Sequence, residues 1–485
     1  MTAPDSRAIS PRSLIPLEFA GLEDTTRPTT ALGVCLVTGG AGYFGRQLAA
    51  ELLRRGNAVR VLDVRAPEPP LRGADLRIGD ITRLEDARKA CAGVDTVFHA
   101  AALLDWARWP TREQRERSVA VNVRGVENIV RAAREAGVAR LVHTSTNNVT
   151  LDAPVIDGDE SLPYAARTRD LYTETKILGE QIALAGNGEG LLTCVIRPGG
   201  IYGPGDPTML RKLAQQLAAG RYVATIGDGS ALSDNTHVLN LVDGQIEAAR
   251  HLVPGSPLEG QAYFITDGQP INYFEFFRPL VTGVGLVHPK RRVPAGLVHA
   301  CMTAWEWAHA KLGAPAPLLR SLEVRKIAIS HYNRIDKARR DFGWTPKLSQ
   351  ADVFPACLAY VRRLMSEHES IDRPHWAWWL AILSGMTLTG ALAISDSAYG
   401  WFAAHVTSWL PQPLIGAVFA WACWLHVSKG LRAVQIAERA GLRETALGWG
   451  WQTFLLGFAS LGLLEARVAK RAAEAHERAS AAPRA

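Results

Sequence analysis

From residue 34 onward the chain alternates short apolar runs with amphipathic stretches, the rhythm of strands and helices in an α/β domain with a parallel sheet. The pattern predicts strands over residues 34–38, 58–63, 75–78, 96–100, 140–145 and 192–197, with helices over 43–55, 83–91 and 120–135. Six strands in this order predict a doubly wound parallel sheet, a fold that binds ligands at the carboxyl ends of its strands. From about residue 199 the rhythm loosens around Gly203-Pro204-Gly205 and Gly227-Asp228-Gly229, which predicts a smaller subdomain over 199–368, interleaved with the first domain at 33–198.

After residue 373 the pattern changes. Residues 374–428 carry one charged side chain, Asp396, so helices drawn through them have no polar face to offer water. Residues 376–394 and 446–464 are each free of charge, and 414–427 forms a shorter apolar stretch; about 20 apolar residues cross a bilayer as a helix. The expectation is an all-α transmembrane region over 374–466, with two firm spans and a doubtful third, followed by a basic, polar tail over 467–485. Tryptophans 376, 378, 379, 401, 409, 449 and 451 fall near the segment ends, where interfacial anchors sit. Arg373 and the group Lys429, Arg432, Arg439 and Arg443 place both flanking ends, and with them the first domain, on the cytoplasmic side. A third crossing would export Arg467, Lys470 and Arg471 against that rule. Residues 1–32, rich in Pro, Thr and charge, lack an apolar signal stretch and read as a flexible extension.

Composition narrows the classes of function. The six cysteines are scattered with no Cys-x-x-Cys pair, so neither a disulfide framework nor a zinc site is indicated. The net charge of +7 comes without any aromatic-interleaved basic patch, and several basic residues border apolar segments, which suits anionic membrane surface rather than nucleic acid. The partners expected are a lipophilic small molecule and a membrane; a homodimer is left open.

Candidate chemistry begins at Thr38-Gly39-Gly40-Ala41-Gly42-Tyr43-Phe44-Gly45, between the first strand and first helix. Gly39, Gly42 and Gly45 let the backbone approach a pyrophosphate, which meets the N–H groups of the helix start at Tyr43 and Phe44. Asp63 ends the next strand, where a carboxylate binds the ribose hydroxyls and repels a 2′-phosphate; NAD is expected over NADP, with Arg65 weakening the preference. Tyr172 and Lys176 share one face of a predicted helix, so the ammonium is expected to lower the phenol pKa, while Thr144-Ser145-Thr146-Asn147-Asn148-Val149 offers hydroxyls to hold a substrate oxygen.

Together these residues resemble the extended short-chain dehydrogenase/reductase superfamily, and within it the 3β-hydroxysteroid dehydrogenase and sterol 4α-carboxylate 3-dehydrogenase group. The resemblance covers about residues 34–363. It also rests on Gly79-Asp80-Ile81, His99-Ala100-Ala101, Asn122 in Val121-Asn122-Val123-Arg124-Gly125, Arg197-Pro198-Gly199-Gly200-Ile201-Tyr202-Gly203-Pro204-Gly205-Asp206, and the closing segment from Ser330 to Pro346. It implies a Rossmann-type NAD-binding domain in which Asp80 and Ile81 lie near the adenine, Ala100 and Ala101 near the pyrophosphate and ribose, and Pro198, Gly199 and Ile201 near the nicotinamide, with Asn122 in the same site. It implies Tyr172 as the general base, Lys176 beside it, and a hydroxyl from Thr146 or Ser145. Thr146 stands where the family commonly has serine, which leaves the choice between those two open. The activity implied is oxidation or reduction of a CH–OH group on a steroid or sterol. Trp106, Trp109 and the apolar stretch 293–312, with Trp305 and Trp307, suit an oily pocket or lipid. Alternatives are a sugar-nucleotide epimerase, a β-keto acid reductase, or a membrane-tethered NAD-binding module without catalysis.

Overall fold

The computed structural model describes residues 31–480 apart from 169, 313–316, 318, 368–370, 373, 441, 443 and 444, with backbone alone from 470. The chain divides into two compact units, residues 1–366 and 367–485.

The first unit opens with β1 (Val34–Thr38), α1 (Tyr43–Arg54), β2 (Ala58–Asp63), β3 (Asp75–Ile78), α2 (Leu84–Cys91) and β4 (Thr96–His99). It continues through α3 (Arg112–Val119), a π-helical turn (Ala120–Arg124), α4 (Gly125–Glu135), β5 (Arg140–Thr144), β6 (Val155–Gly158), α5 (Leu171–Ala185) and β7 (Leu192–Pro198). The less regular part holds β8 (Gly200–Tyr202), α6 (Met209–Ala218), β9 (Thr225–Ile226), β10 (Asn235–His237), α7 (Val238–His251), β11 (Gln261–Ile265), α8 (Tyr273–Gly283) and β12 (Arg292–Val293). It closes with α9 (Ala295–Leu312), α10 (Ser321–Ala328), β13 (His331–Asn333), α11 (Asp336–Phe342) and α12 (Gln350–Glu367).

The main sheet is parallel throughout, in the order β11-β7-β5-β4-β1-β2-β3. It therefore has seven strands where the sequence pattern shows six. The seventh, β11, lies inside the irregular part and returns to the sheet edge, pairing Tyr263 with Ile196. One face is sealed by Leu48, Leu52, Leu241, Ile246, Phe342 and Trp344, the other by Ala87, Ile129, Ala133 and Ala183. Strands buried on both faces read as near-continuous apolar runs, as β1 does up to Thr38; in β4 the buried polar ends are paired, Thr96 Oγ1 with Leu32 O and His99 Nδ1 with Thr38 Oγ1. A separate cluster around Tyr202, Phe276, Phe277 and Tyr360 fills the smaller lobe. The N-terminal extension read at 1–32 lies outside the described residues except for its last two, of which Leu32 is buried and accepts a hydrogen bond from Thr96 Oγ1 at 2.7 Å.

The second unit is helical: α13 (Trp376–Ile394), α14 (Asp396–His405), α15 (Gln412–Arg439), α16 (Ala446–Leu456) and α17 (Phe458–Ser480). Among the described residues α13 and α15 are long and apolar enough to cross a membrane. The third apolar stretch is not one helix: Gly457, at φ +56°, breaks it between α16 and α17. Helices pack closely at small residues, Gly390 against Phe419 and Gly430 against Gly450 O. The backbone of the expected polar tail continues α17 as far as Ser480.

Candidate active site

The sheet brings the carboxyl ends of β1, β2, β4, β5 and β7 to one rim, and the residues singled out in sequence fall along it. After Thr38 the chain turns through Gly39 at φ +72°, whose N–H donates to Leu62 O at 2.8 Å. A Cβ on Gly39 would sit 2.7 Å from Ala101 Cα, and one on Gly45 would sit 2.3 Å from Gly39 O, so no side chain fits at either position. Behind Gly42, α1 starts with no side-chain cap on its first N–H groups, leaving the positive end of the helix available to an anion. Phe44 points its side chain into the core, and the Tyr43 ring packs against Gly203 and Gly205, so both residues offer the turn only backbone. Asp63 accepts Ala41 N–H at 2.9 Å and Arg65 N–H at 3.3 Å, which fixes its carboxylate at the edge of the turn.

Beyond β3, Asp80 accepts Thr82 N–H at 2.9 Å, and Ile81 is buried against Gly125. Ala100 and Ala101 follow β4, with Ala101 N–H donating to Thr38 Oγ1 at 3.2 Å. Pro198 ends β7; Gly199 N–H donates to Thr236 Oγ1 at 2.9 Å, and Ile201 pairs with Thr236 across β8 and β10. Asn122 sits in the π-helical turn that replaces the expected start of α4. Its side chain is buried and committed to protein: Oδ1 accepts Leu103 N–H at 2.7 Å, and Nδ2 donates to Leu103 O at 2.9 Å and Thr175 Oγ1 at 3.0 Å. It ties the strand-end loop to α5.

α5 is started by Asp170, whose carboxylate accepts Thr173 N–H at 2.8 Å. Tyr172 and Lys176 are both buried. The Tyr172 phenol is hydrogen-bonded to Thr146, which caps the short turn Asn147–Thr150. Ser145 is directed elsewhere: its hydroxyl donates to Glu180, a buried carboxylate that also takes Arg197 Nη2 at 2.5 Å and Tyr164 Oη at 3.0 Å. The geometry thus separates two hydroxyls that the sequence leaves equivalent. Lys176 Nζ donates to Thr144 O at 2.6 Å and lies 3.4 Å from His143 Nε2; His143 stacks on His99, whose Nδ1 is 2.7 Å from Thr38 Oγ1. A buried polar chain therefore joins Lys176 to the glycine turn. Glu180 and His143 are missed by sequence reasoning, although Glu180 follows Tyr172 and Lys176 at the same spacing of four.

The electrostatics differ from expectation. Burial pushes the Tyr172 phenol above its ordinary value, the Thr146 hydrogen bond pulls it back, and Asp170 adds to the rise. Lys176 was expected to lower that pKa. Instead its ammonium is held by Thr144 O, and burial depresses it to about 8, against the attraction of Glu180. Burial likewise keeps His99 at about 3 and His143 well below its ordinary value, so both rings are neutral.

The profile of the 3-beta hydroxysteroid dehydrogenase/isomerase family matches residues 36–295, and that of Transmembrane protein 254 matches residues 377–466. A 3-beta-hydroxysteroid dehydrogenase of Mycolicibacterium neoaurum is 46% identical, over 69% of this chain and 93% of its own length. A 3 beta-hydroxysteroid dehydrogenase/Delta 5-->4-isomerase of Mycobacterium tuberculosis is 45% identical, over 71% of this chain and 95% of its own. Among solved structures, a UDP-glucuronic acid 4-epimerase from Bacillus cereus in complex with NAD has the same fold, with a TM-score of 0.53 and 19% identity over 68% of this chain and 99% of its own. With its glycine turn, its Tyr172 and Lys176 face and a profile match over more than half its length, the chain belongs to the 3-beta hydroxysteroid dehydrogenase/isomerase family, a family of oxidoreductases.

Proposed function

We propose that this protein oxidises the 3β-hydroxyl of a steroid or sterol with NAD. The observation that carries the reading is the Tyr172 phenol hydrogen-bonded to the Thr146 hydroxyl on the same sheet rim as the glycine turn. The rim fits a dinucleotide: an uncapped helix start lies behind glycines that admit no Cβ, and a carboxylate is anchored beside them. Gly39, Gly42, Gly45, Asp63, Asp80, Ile81, Ala100, Ala101, Lys176, Pro198, Gly199 and Ile201 would hold it, and Asn122 acts by holding the loop at Leu103. The carboxylate of Asp63 favours NAD over NADP. When bound, NAD supplies the hydride acceptor.

Thr146 holds the carbinol oxygen, and Tyr172 takes its proton. Burial raises the phenol, so the unprotonated base that oxidation needs becomes more abundant as pH rises. Trp106 meets the Tyr172 ring edge-on at 6.5 Å and makes the approach to the dyad apolar. In α9 the usual pattern is inverted, with Glu306 buried while Leu297, Trp305 and Trp307 are exposed, a surface suited to lipid. The relatives named 3-beta-hydroxysteroid dehydrogenases support the substrate class. On a sterol bearing a 4-carboxylate, oxidation would leave a β-keto acid; its C–C bond breaks to carbon dioxide and an enolate, which then takes a proton.

The test is NADH formation by the purified full-length protein with 3β-hydroxysteroids. Tyr172→Phe is expected to lose about 10²- to 10⁴-fold in kcat while still binding NAD. Efficient turnover of UDP-sugars with none of sterols would overturn the reading.

A further inference from the structure

The carboxyl ends of β1, β4 and β5 carry a row of polar side chains in register: Thr38 lies opposite His99, and His99 opposite His143. All three are buried. The two rings stack with centroids 5.2 Å apart, and His99 Nδ1 lies 2.7 Å from Thr38 Oγ1, which also accepts Ala101 N–H at 3.2 Å. Neighbours across adjacent strands pack on one another, so the His143 ring is braced from the side of the glycine turn. Its other polar neighbour is Lys176, on α5.

Lys176 is a buried ammonium that, among the described residues, no carboxylate reaches at ion-pair distance. Two acceptors meet it instead, Thr144 O at 2.6 Å and His143 Nε2 at 3.4 Å. They belong to consecutive residues of β5. An ammonium has three donors, so one is left for a ligand on the rim beside Tyr172. Fixing two N–H directions of a tetrahedral nitrogen fixes the third; held by Thr144 O alone, the group would turn freely about that bond.

An ammonium only donates, so His143 accepts through Nε2 and carries its proton on Nδ1. That Nδ1 is buried and has no partner among the described residues, and an unmet buried donor costs stability. A phenyl ring would fill the same space with no unmet group. What the imidazole adds is the acceptor that faces Lys176.

We propose that His143 is a positioning residue for the cofactor: its Nε2 lone pair fixes the rotation of the Lys176 ammonium and keeps the third N–H for the nicotinamide half of NAD. The inference rests on the reading above in which Lys176 holds the cofactor. The gain is in entropy, because a lysine tip that is already ordered loses less freedom when its ligand arrives.

The experiment is calorimetric titration of the full-length protein, without sterol, by NAD and by ADP, which has no nicotinamide half. His143→Phe is expected to weaken NAD about tenfold, the order of one hydrogen bond to a charged group, and to leave ADP unchanged. His143→Gln, whose amide oxygen supplies an acceptor again, should recover most of the NAD affinity. The melting temperature of His143→Phe should hold or rise, since the unmet Nδ1–H has gone. Undiminished NAD binding by His143→Phe overturns the proposal, as does a His143→Gln protein no better than His143→Phe. Equal weakening of NAD and ADP also overturns it, because that result assigns His143 to packing of the sheet. A Lys176→Met protein that binds NAD as tightly as the unaltered one overturns the parent reading of Lys176, and this one with it.

Discussion

At the scale of single residues, the two hydroxyls beside the phenol have distinct surroundings. Thr146 is bonded to Tyr172, and Ser145 is consumed by Glu180 inside a network that includes Arg197 and Tyr164. Thr146→Ala removes the hydrogen bond that lowers the phenol pKa. The pH profile of alcohol oxidation should therefore move to higher pH, and kcat at fixed neutral pH should fall about tenfold, the worth of one such bond. Thr146→Ser should restore both. Ser145→Ala should leave the profile in place and instead lower stability by about 1–2 kcal/mol, because buried Glu180 loses a donor. Profiles and denaturant melts of the three variants check this, and a shifted profile for Ser145→Ala alone would reverse the assignment. The residue types were legible in sequence because chemistry restricts which side chains can do the work. Their partners were not, since which of two adjacent hydroxyls meets Tyr172 and which meets Glu180, both on α5, depends on the β-strand ending at Thr144 and the turn that follows.

At the scale of elements, strands and helices followed the hydrophobic period closely, and the departures have local causes. The helix expected from residue 120 starts instead as a π-helical turn, at Asn122, whose amide satisfies both backbone groups of Leu103. No periodicity reports such a turn, because the stabilising partner is a loop 19 residues away. Asn122→Ala should leave a buried N–H and a buried carbonyl unpaired and cost about 2–4 kcal/mol. Asn122→Asp should rescue little, since a carboxylate accepts from Leu103 N–H but donates to neither Leu103 O nor Thr175. Chemical denaturation of both variants measures this, and stability equal to that of the unaltered protein would remove Asn122 from its positioning role. The same reasoning explains β11, where pairing with β7 rather than local pattern makes a strand of five residues.

At the scale of the whole molecule, the number of crossings depends on charges in the helical unit. Arg467 Nη1 lies 3.1 Å from Asp372 Oδ1, and Gln452 Nε2 donates to Asp372 O at 2.8 Å. Asp372 precedes α13, Gln452 lies in α16 and Arg467 in α17, so the start of the first span and the segment after Gly457 share one level. If α13 crosses outward and α15 returns, a third full crossing would carry Arg467 to the far side and break that pair. At 11 residues α16 is about 17 Å long, short of a hydrocarbon core of about 30 Å. We therefore propose two crossings, with α16 and α17 lying at the cytoplasmic interface beside Lys429, Arg432 and Arg439, as the charge rule requires. A cysteine placed in residues 396–411 of a protein freed of its other exposed thiols should label from outside sealed vesicles, whereas one near residue 467 should label only after permeabilisation. The full chain should resist carbonate extraction, and a chain ending at Glu367 should be released by it, because α9 alone provides a surface contact rather than a span. Labelling of both positions from the same side, or a full chain that carbonate strips from the membrane, would contradict the two-crossing arrangement. Its purpose follows from the substrate proposed: a sterol dissolves in the bilayer, and the anchor keeps the enzyme at that supply.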